Sequence, residues 1–296
     1  MRRFLRSSTV AVALALAAAA PALACGGLIG PNGTVNLLRT TTLAAYVDGV
    51  EHYVTSFSFA GEPGARFGSI VPLPGIPTDV RKGGAWTLQR LQQETAARVA
   101  FAALTDADAA TAREARVVLE TTVDALDVTV LEGGARAVGR WALDEGFRLP
   151  PDAPEVLEFY ARRSPVFMAV RFNAARTEER GLQTGDGIPV HVTIPVDDPW
   201  VPLRILALGK QPSETVGADV YLLTERRPAL LPNPGRARTL DLATSETASR
   251  TLLRDLRSDR GMGWLPPAGM WLSHVVVDAR AGRLTHDLAI DAGGGR

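Results

Sequence analysis

The stretch VDGVEHYVTSFSF, residues 47–59, carries the clearest fold signal in the chain. The Asp-Gly pair near its start is a favoured two-residue hairpin turn, and it lies between two runs rich in β-branched and aromatic residues. After the turn, the aromatic residues Tyr53, Phe57 and Phe59 alternate with small polar residues. This period of two is typical of a strand with one buried face. The stretch therefore predicts an antiparallel hairpin whose aromatic side faces a core.

Further patterns extend outward from this hairpin. Period-two or continuous apolar runs predict strands at 35–46, 67–73, 117–131, 166–172, 190–196, 201–208, 218–224, 270–278 and 283–290. Helical spacing and capping residues predict helices at 86–104, 138–147, 154–163 and, with Ser245 as its cap, 244–257. Strands outnumber helices, and the two are partly segregated instead of alternating. We therefore expect an α+β fold, mostly antiparallel and rich in meanders, with about four to five helices on the sheet faces or edges.

Composition limits the function classes. The chain has 296 residues, and its 32 basic and 32 acidic side chains give no net charge. This balance argues against nucleic acid as a partner, and the 46% hydrophobic content argues against disorder. Only Lys82 and Lys210 are lysines, an arginine bias typical of genomes with high G+C content. After a signal peptide at 1–24, we expect a single domain at 25–296, with two subdomains, 25–150 and 151–296, as the alternative.

The first 24 residues have the pattern of a secretory signal peptide. Three arginines precede an apolar run at 10–20, and Ala22 and Ala24 fit the small-x-small cleavage rule. Cleavage would leave Cys25, the single cysteine of the chain, at the N-terminus of a mature protein with a formal charge of −3. We therefore predict an extracytoplasmic location. A lipidated Cys25 is the alternative; Ala22 stands where lipoproteins usually have a large aliphatic residue, so ordinary secretion is favoured.

No local motif points to a reaction. The sequence lacks a G-x-S-x-G elbow, a phosphate-binding loop, a dinucleotide fingerprint, an H-E-x-x-H pair and a cysteine pair for zinc. We therefore predict no cofactor and leave catalytic residues unassigned. The weak metal-ligand candidates are His52, His191 and His274, because strand residues that are distant in sequence can converge. An extracytoplasmic hydrolase or metal-dependent enzyme requires at least two of them within about 5 Å. The alternative is that each is an independent surface or core histidine.

Two further features suggest binding. Asp197-Asp198 before Pro199 fits either a site for a hard cation or a solvated turn. Trp264 and Trp271 flank a Gly- and Pro-rich stretch, which is either a binding lip or a loop held in place by its aromatic residue. The favoured function is a secreted cell-envelope protein, non-enzymatic, that binds or is structural. Its partner would be an unknown envelope component or a small ligand, and it would meet the membrane only through the signal peptide or a lipid on Cys25.

Several stretches resemble a known family. CGGLIGPNGTVNLLRTTTLAAY at the mature start, VPLP at 71–74, ALDVTVLEGG at 125–134 and WVPLRILALGKQPSETVGADVYLLT at 200–224 are similar to the bacterial family of unknown function 2330 (DUF2330). The resemblance covers nearly all of the mature chain and implies an extracytoplasmic protein without an assigned activity. Many members of the family have further cysteines that could pair with the first one. This chain has no second cysteine, so no disulfide within one molecule is expected.

Overall fold

The computed structural model describes residues 27–30, 33–34, 39–58, 67–84, 86–96, 116–181 and 187–292. Its strands are β1 (Gly27–Gly30), β2 (Gly33–Thr34), β3 (Thr40–Val47), β4 (Val50–Ser58), β5 (Gly68–Leu73), β6 (Asp79–Lys82), β7 (Arg116–Val123), β8 (Leu126–Glu132), β9 (Val166–Phe172), β10 (Gly187–Pro195), β11 (Trp200–Val201), β12 (Thr215–Thr224), β13 (Ala229–Leu231), β14 (Leu240–Thr247), β15 (Trp271–Arg280) and β16 (Leu288–Asp291). Its helices are α1 (Thr87–Thr95), α2 (Ala135–Asp144), α3 (Ala153–Arg163), α4 (Ala174–Glu179) and α5 (Arg250–Ser258). Two 3₁₀ turns cover Arg204–Ala207 and Ala281–Arg283. Ala22, Ala24, Cys25 and Phe59 lie outside the described residues.

The described strands form two large sheets and a small one. The seven-stranded sheet has the order β14-β15-β12-β3-β4-β10-β6, and the β12–β3 pair is parallel whereas its other pairs are antiparallel. The six-stranded sheet has the antiparallel order β2-β1-β5-β9-β8-β7. Strands β11, β16 and β13 form the small sheet. The predicted α+β class is confirmed. Both large sheets take strands from either side of residue 150, and the division into subdomains stays a prediction.

Helices and sheets are stacked in four layers. One core lies between the two large sheets, where Phe57 of β4 is in the same cluster as Met168 of β9. A second core lies between the seven-stranded sheet and helices α1 and α5. A third lies between the six-stranded sheet and helices α2 and α3. Both faces of each large sheet are therefore covered. In the described ranges, no helix is long and apolar enough to cross a membrane.

The hairpin predicted at residues 47–59 contains β4, and its turn and the burial of its two faces can be compared with the sequence pattern. Asp48 and Gly49 have φ values of 50° and 77°, as a two-residue turn with positive φ at both positions requires, and Val47 pairs with Val50. Tyr53 and Phe57 face the core between the sheets, as the alternation indicated. On the opposite face of β4, Val54 is buried in the core with α1 and α5, whereas Val50, His52 and Ser56 are half-buried. The strand therefore has one fully buried face, as the alternation predicts, and one that is partly covered.

Some element predictions were wrong: the strand predicted at 283–290 begins only at Leu288 and pairs with β11 and β13, and two further predicted elements differ from the structure. Residues 244–247 belong to strand β14, and α5 begins at Arg250, where the hydroxyl of Ser249 accepts a hydrogen bond from the Leu252 amide at 3.0 Å. The predicted strand at 201–208 ends at Val201 and continues as a 3₁₀ turn. Pro202 interrupts the pairing because it has no N–H to donate, and the amides that follow it donate to the buried carboxylate of Asp287.

Candidate functional site

A loop after α5 is fixed to the start of α1 by one carboxylate. Asp259 accepts hydrogen bonds from the Trp86 and Thr87 amides and from the Thr87 hydroxyl, at 3.0, 2.8 and 2.7 Å. The first amides of a helix lack partners within it, and Trp86 at the N-cap position has no side-chain acceptor. Asp259 therefore caps α1 from a distance, and it fixes the position of the loop that carries Trp264. Gly84 permits this contact, because a Cβ there would lie 2.1 Å from a carboxylate oxygen of Asp259.

Two of the three candidate histidines meet on the helix-covered face of the seven-stranded sheet. His52 on β4 and His191 on the neighbouring strand β10 approach until Nδ1 of His52 is 3.0 Å from Nε2 of His191. The indole of Trp264 stacks on the His52 ring, with a centroid separation of 3.6 Å and an interplanar angle of 5°. Trp264 therefore fixes its loop against the histidine pair.

The hydrogen bonds assign the proton positions of this pair. Arg81 on β6 lies 3.4 Å from Nδ1 of His191, and a guanidinium group only donates. Nδ1 of His191 is therefore the acceptor, its Nε2 carries the proton, and that proton is donated to Nδ1 of His52. His52 must then hold its own proton on Nε2. Burial and the charge of Arg81 lower the pKa of His52 to about 4. Burial, His52 and Arg81 lower that of His191 to about 3, so both rings are neutral at neutral pH.

A basic cavity of about 420 Å³, here called the Trp264 cavity, adjoins this pair. The residues lining it are Arg81, Lys82, Arg260, Gly261, Gly263 and Trp264. Arg81 pairs with Asp79 at 2.9 Å, and Lys82 pairs with Asp124 at 2.5 Å. Arg260 is exposed and makes no ion pair with any described residue. Two of the three positive charges are thus offset, and the cavity keeps an excess of positive charge.

His274, the third candidate, lies elsewhere on the same face of the sheet. Successive cross-strand partners lead from it through Tyr221, Leu43 and Val54 to His191, which is four strand spacings or about 19 Å. The three candidates therefore do not converge. Within the described part of the chain, no group of three or more His, Cys, Asp or Glu side chains is placed to hold a metal ion. Metal binding by the remaining pair stays a prediction.

His274 belongs to a closed polar cluster. Its Nε2 lies 2.8 Å from Asp219, which also accepts hydrogen bonds from Arg39 at 2.6 and 3.0 Å. Burial would raise the pKa of Asp219, but the hydrogen bonds from His274 and Arg39 outweigh it and lower this pKa to about 2. Tyr221 stacks on the His274 ring at 4.4 Å. His274 is almost fully buried, whereas the Arg39 side chain is 42% exposed, so the histidine itself is shielded from solvent and the cluster stabilises the sheet.

The two tryptophans of the predicted loop have separate surroundings. Trp264 lines the cavity, whereas Trp271 begins β15 and its indole N–H donates to the Ser245 hydroxyl at 3.0 Å. The guanidinium of Arg227 lies 5.8 Å from the centroid of the Trp271 ring. Trp271 does not line the Trp264 cavity.

Sequence reasoning missed a second and larger site, here called the Arg163 cleft. It has a volume of about 690 Å³, and among the residues lining it are Tyr46, Arg163, Asp197, Asp198, Trp200 and Asp291. Glu51 does not line the cleft but is fully buried near two residues that do, Arg163 and Trp200. Burial raises the pKa of Glu51 to about 8, and a hydrogen-bond contact with the Trp200 backbone and the charge of Arg163 offset only part of that rise. The signal for Glu51 was present, because it has the same strand parity as Tyr53 and Phe57 and so had to face the core.

Comparisons with known proteins give a family but no activity. No curated protein matches the chain. Baculovirus P35 is similar in structure, with a TM-score of 0.45 at 8% identity over 86% of this chain and 96% of P35. A mutated baculovirus P35 after caspase cleavage has a TM-score of 0.41 at 7% identity, over 85% of this chain and 99% of the other. The model of the family described as uncharacterised proteins conserved in bacteria matches residues 18–233, so the chain belongs to DUF2330.

Proposed function

We propose that this protein is an exported, non-enzymatic binding protein of the cell envelope, and that its Trp264 cavity holds an anionic ligand. The observation that carries the proposal is the convergence of Arg81, Lys82 and Arg260 on one cavity. Arginine and lysine side chains donate hydrogen bonds and accept none, so a ligand between them must supply acceptors. Carboxylate, phosphate and sulfate groups have that chemistry, and they form the strongest hydrogen bonds with guanidinium groups.

The histidine pair has a positioning role in this proposal. Both rings are neutral, so they add no charge to the cavity. Instead, His191 accepts a hydrogen bond from Arg81, and the His52 ring stacks against the indole of Trp264. Each contact restricts the freedom of a group that lines the cavity, and this lowers the entropy lost when a ligand binds.

The 3.0 Å contact between His52 and His191 favours a second candidate, the extracytoplasmic hydrolase or metal-dependent enzyme. Two arguments make this enzyme function the less favoured of the two proposals. The hydrogen-bond direction leaves Nε2 of His52 protonated, which makes it a donor and not a general base. A metal cation on the pair would also lie beside the three basic side chains of the cavity, where Coulomb repulsion opposes it.

The binding proposal is tested by calorimetric titration of the purified protein with inorganic phosphate, sulfate and citrate in turn. We expect at least one of them to bind, and Arg260→Gln to weaken the binding about tenfold or more, because a hydrogen bond between charged groups is lost. Arg254→Gln is the matched control, since this arginine lies on α5 with 75% of its side chain exposed and does not line the cavity. Wild-type protein that binds none of the three anions, or equal losses in the two variants, would contradict the proposal.

Export is tested separately. The proposal rests on the pattern of residues 1–24, and it predicts a mature chain that begins with an unmodified Cys25. The intact mass of the protein recovered from cells and from medium distinguishes the outcomes. A mass increased by diacylglycerol and acyl groups would establish the lipoprotein alternative instead, and a chain that keeps residues 1–24 would contradict cleavage.

A further inference from the structure

We propose that the Arg163 cleft binds a small zwitterion with one carboxylate and one ammonium group, the chemistry of a free amino acid. The site is separate from the Trp264 cavity and does not depend on the function proposed for it. Three observations carry the inference: an arginine without a counter-ion among the described residues, a buried carboxyl group near it that is neutral, and acidic groups that face the same space.

The first observation concerns Arg163, the last residue of α3. Its guanidinium lies 4.7 Å from the centroid of the Trp200 ring, and this cation–π contact holds it at the wall of the cleft. No carboxylate among the described residues forms an ion pair with it. A planar guanidinium that is held in place and lacks a counter-ion is suited to a bidentate contact with a ligand carboxylate.

The second observation concerns Glu51. Its side chain is fully buried, and within the described residues its carboxyl group has only a marginal hydrogen-bond contact, with the Trp200 backbone. The charge of Arg163 and the backbone of Trp200 both act on it, and both residues line the cleft. Because burial raises its pKa to about 8, Glu51 is protonated at neutral pH, and it therefore places no negative charge near Arg163 that would compete with a ligand carboxylate.

The third observation is the acidic rim. Asp197, Asp198 and Asp291 line the same cleft, and all three are exposed. The negative charge of Asp198 acts on Arg163, yet the two side chains form no ion pair. Tyr46 donates to the backbone carbonyl of Val196 at 3.0 Å and so holds the segment that carries two of these aspartates. Arg163 on one side and Asp197 and Asp198 on the other therefore line one cleft without an ion pair between them, and a ligand with both charges can pair with both sides.

Other ligand classes satisfy fewer of these groups. A simple amine pairs with the aspartates but leaves the guanidinium of Arg163 unpaired, and its charge is repelled by it. A simple carboxylate pairs with Arg163 but is repelled by the negative charges of the rim. Only the zwitterion uses both halves of the cleft.

The test is calorimetric titration of the full chain with the standard amino acids one at a time. The best binder is then compared with its decarboxylated amine and with its deaminated carboxylic acid. We expect the amino acid to bind, and each analogue to bind about tenfold or more weakly because it loses one charged contact. Failure of every amino acid to bind, or an analogue that binds as well as its parent, would overturn the proposal.

Variants locate the binding. Arg163→Gln should weaken the best amino acid about tenfold or more, whereas Arg162→Gln should not, because Arg162 is its neighbour on α3 and does not line the cleft. Glu51→Gln should keep the affinity, since the amide is neutral like the protonated carboxyl group; a loss there would mean that a charge on Glu51 contributes to binding, which contradicts the proposal. Both arginines are exposed, so circular dichroism should show that these two variants fold. Equal affinity in the Arg163 and Arg162 variants would place the ligand elsewhere.

Discussion

Glu51 and His52 are neighbours on β4, but they belong to opposite faces of the sheet and to two sites of opposite charge. His52 lies behind the Trp264 cavity, where the excess charge is positive, whereas Glu51 lies near the Arg163 cleft, where three carboxylates outnumber one guanidinium. In both places burial keeps the innermost titratable group neutral, as imidazole in one and as carboxylic acid in the other. The fixed charges stand at the rim, where water still reaches them. A single strand thus supports two sites whose ligands differ in charge.

Removal of the packing on β4 should disrupt both sites together. Phe57 is fully buried in the core between the sheets, so Phe57→Ala should lower the free energy of unfolding by about 3–5 kcal/mol. Chemical denaturation followed by circular dichroism measures this loss. Leu143→Ala is the control, because Leu143 is 72% exposed and its truncation should cost less than about 0.5 kcal/mol. Equal stability of the two variants would mean that β4 is not part of a packed core.

Removal of the α1 cap should disrupt one site and spare the other. Asp259→Ala breaks the hydrogen bonds to Trp86 and Thr87, and it should lower the free energy of unfolding by about 2 kcal/mol. Because Asp259 also fixes the Trp264 loop, affinity for anions should fall while affinity for amino acids stays the same. Asp144→Ala, an exposed position on α2, is the control. A variant that loses both affinities would contradict the independence of the two sites.

The pH dependence of stability should differ in sign between the two neutral groups. The folded pKa of His52, about 4, lies below its ordinary value of 6.5, so the unfolded chain takes up the proton first and stability falls as the pH drops from about 6.5 to 4. The folded pKa of Glu51, about 8, lies above its ordinary value of 4.5, so stability falls as the pH rises from about 4.5 to 8. Each slope is at most about 1.4 kcal/mol per pH unit for one group.

Denaturation across this pH range tests both slopes. His52→Gln should reduce the loss of stability on the acid side, although His191 still contributes to it. Glu51→Gln should remove the loss on the alkaline side and leave the acid side unchanged. If neither variant alters the slope on its own side, the two groups are not neutral in the folded protein.

The sequence predicted this fold better where the signal was local. The Asp-Gly turn and the alternation after it placed the β3–β4 hairpin, and the helices predicted at 138–147 and 154–163 overlap α2 and α3. The prediction of a strand at 201–208 was wrong because Pro202 and the distant carboxylate of Asp287 favour a turn in that backbone. The helix predicted at 244–257 begins too early, because its first residues belong to β14. That strand forms by pairing with β15, which lies further along the chain.

The candidate sites could be predicted only in part. His52 and His191 were candidates, but their contact depends on the pairing of β4 with β10, and no local pattern encodes the register of strands so far apart. The role of Trp264 depends in the same way on Asp259 reaching α1. Glu51 could have been identified from its parity on β4 alone. Arg163 could not, because its exposure and its missing counter-ion are properties of the assembled cleft.

The most direct test of two independent sites is a crossed titration of wild-type protein, Arg260→Gln and Arg163→Gln. Each protein is titrated with the tightest-binding anion and, separately, with the tightest-binding amino acid. The account predicts that Arg260→Gln weakens only the anion and that Arg163→Gln weakens only the amino acid, about tenfold or more in each case. A variant that weakens both ligands, or the reverse assignment of losses, would contradict it.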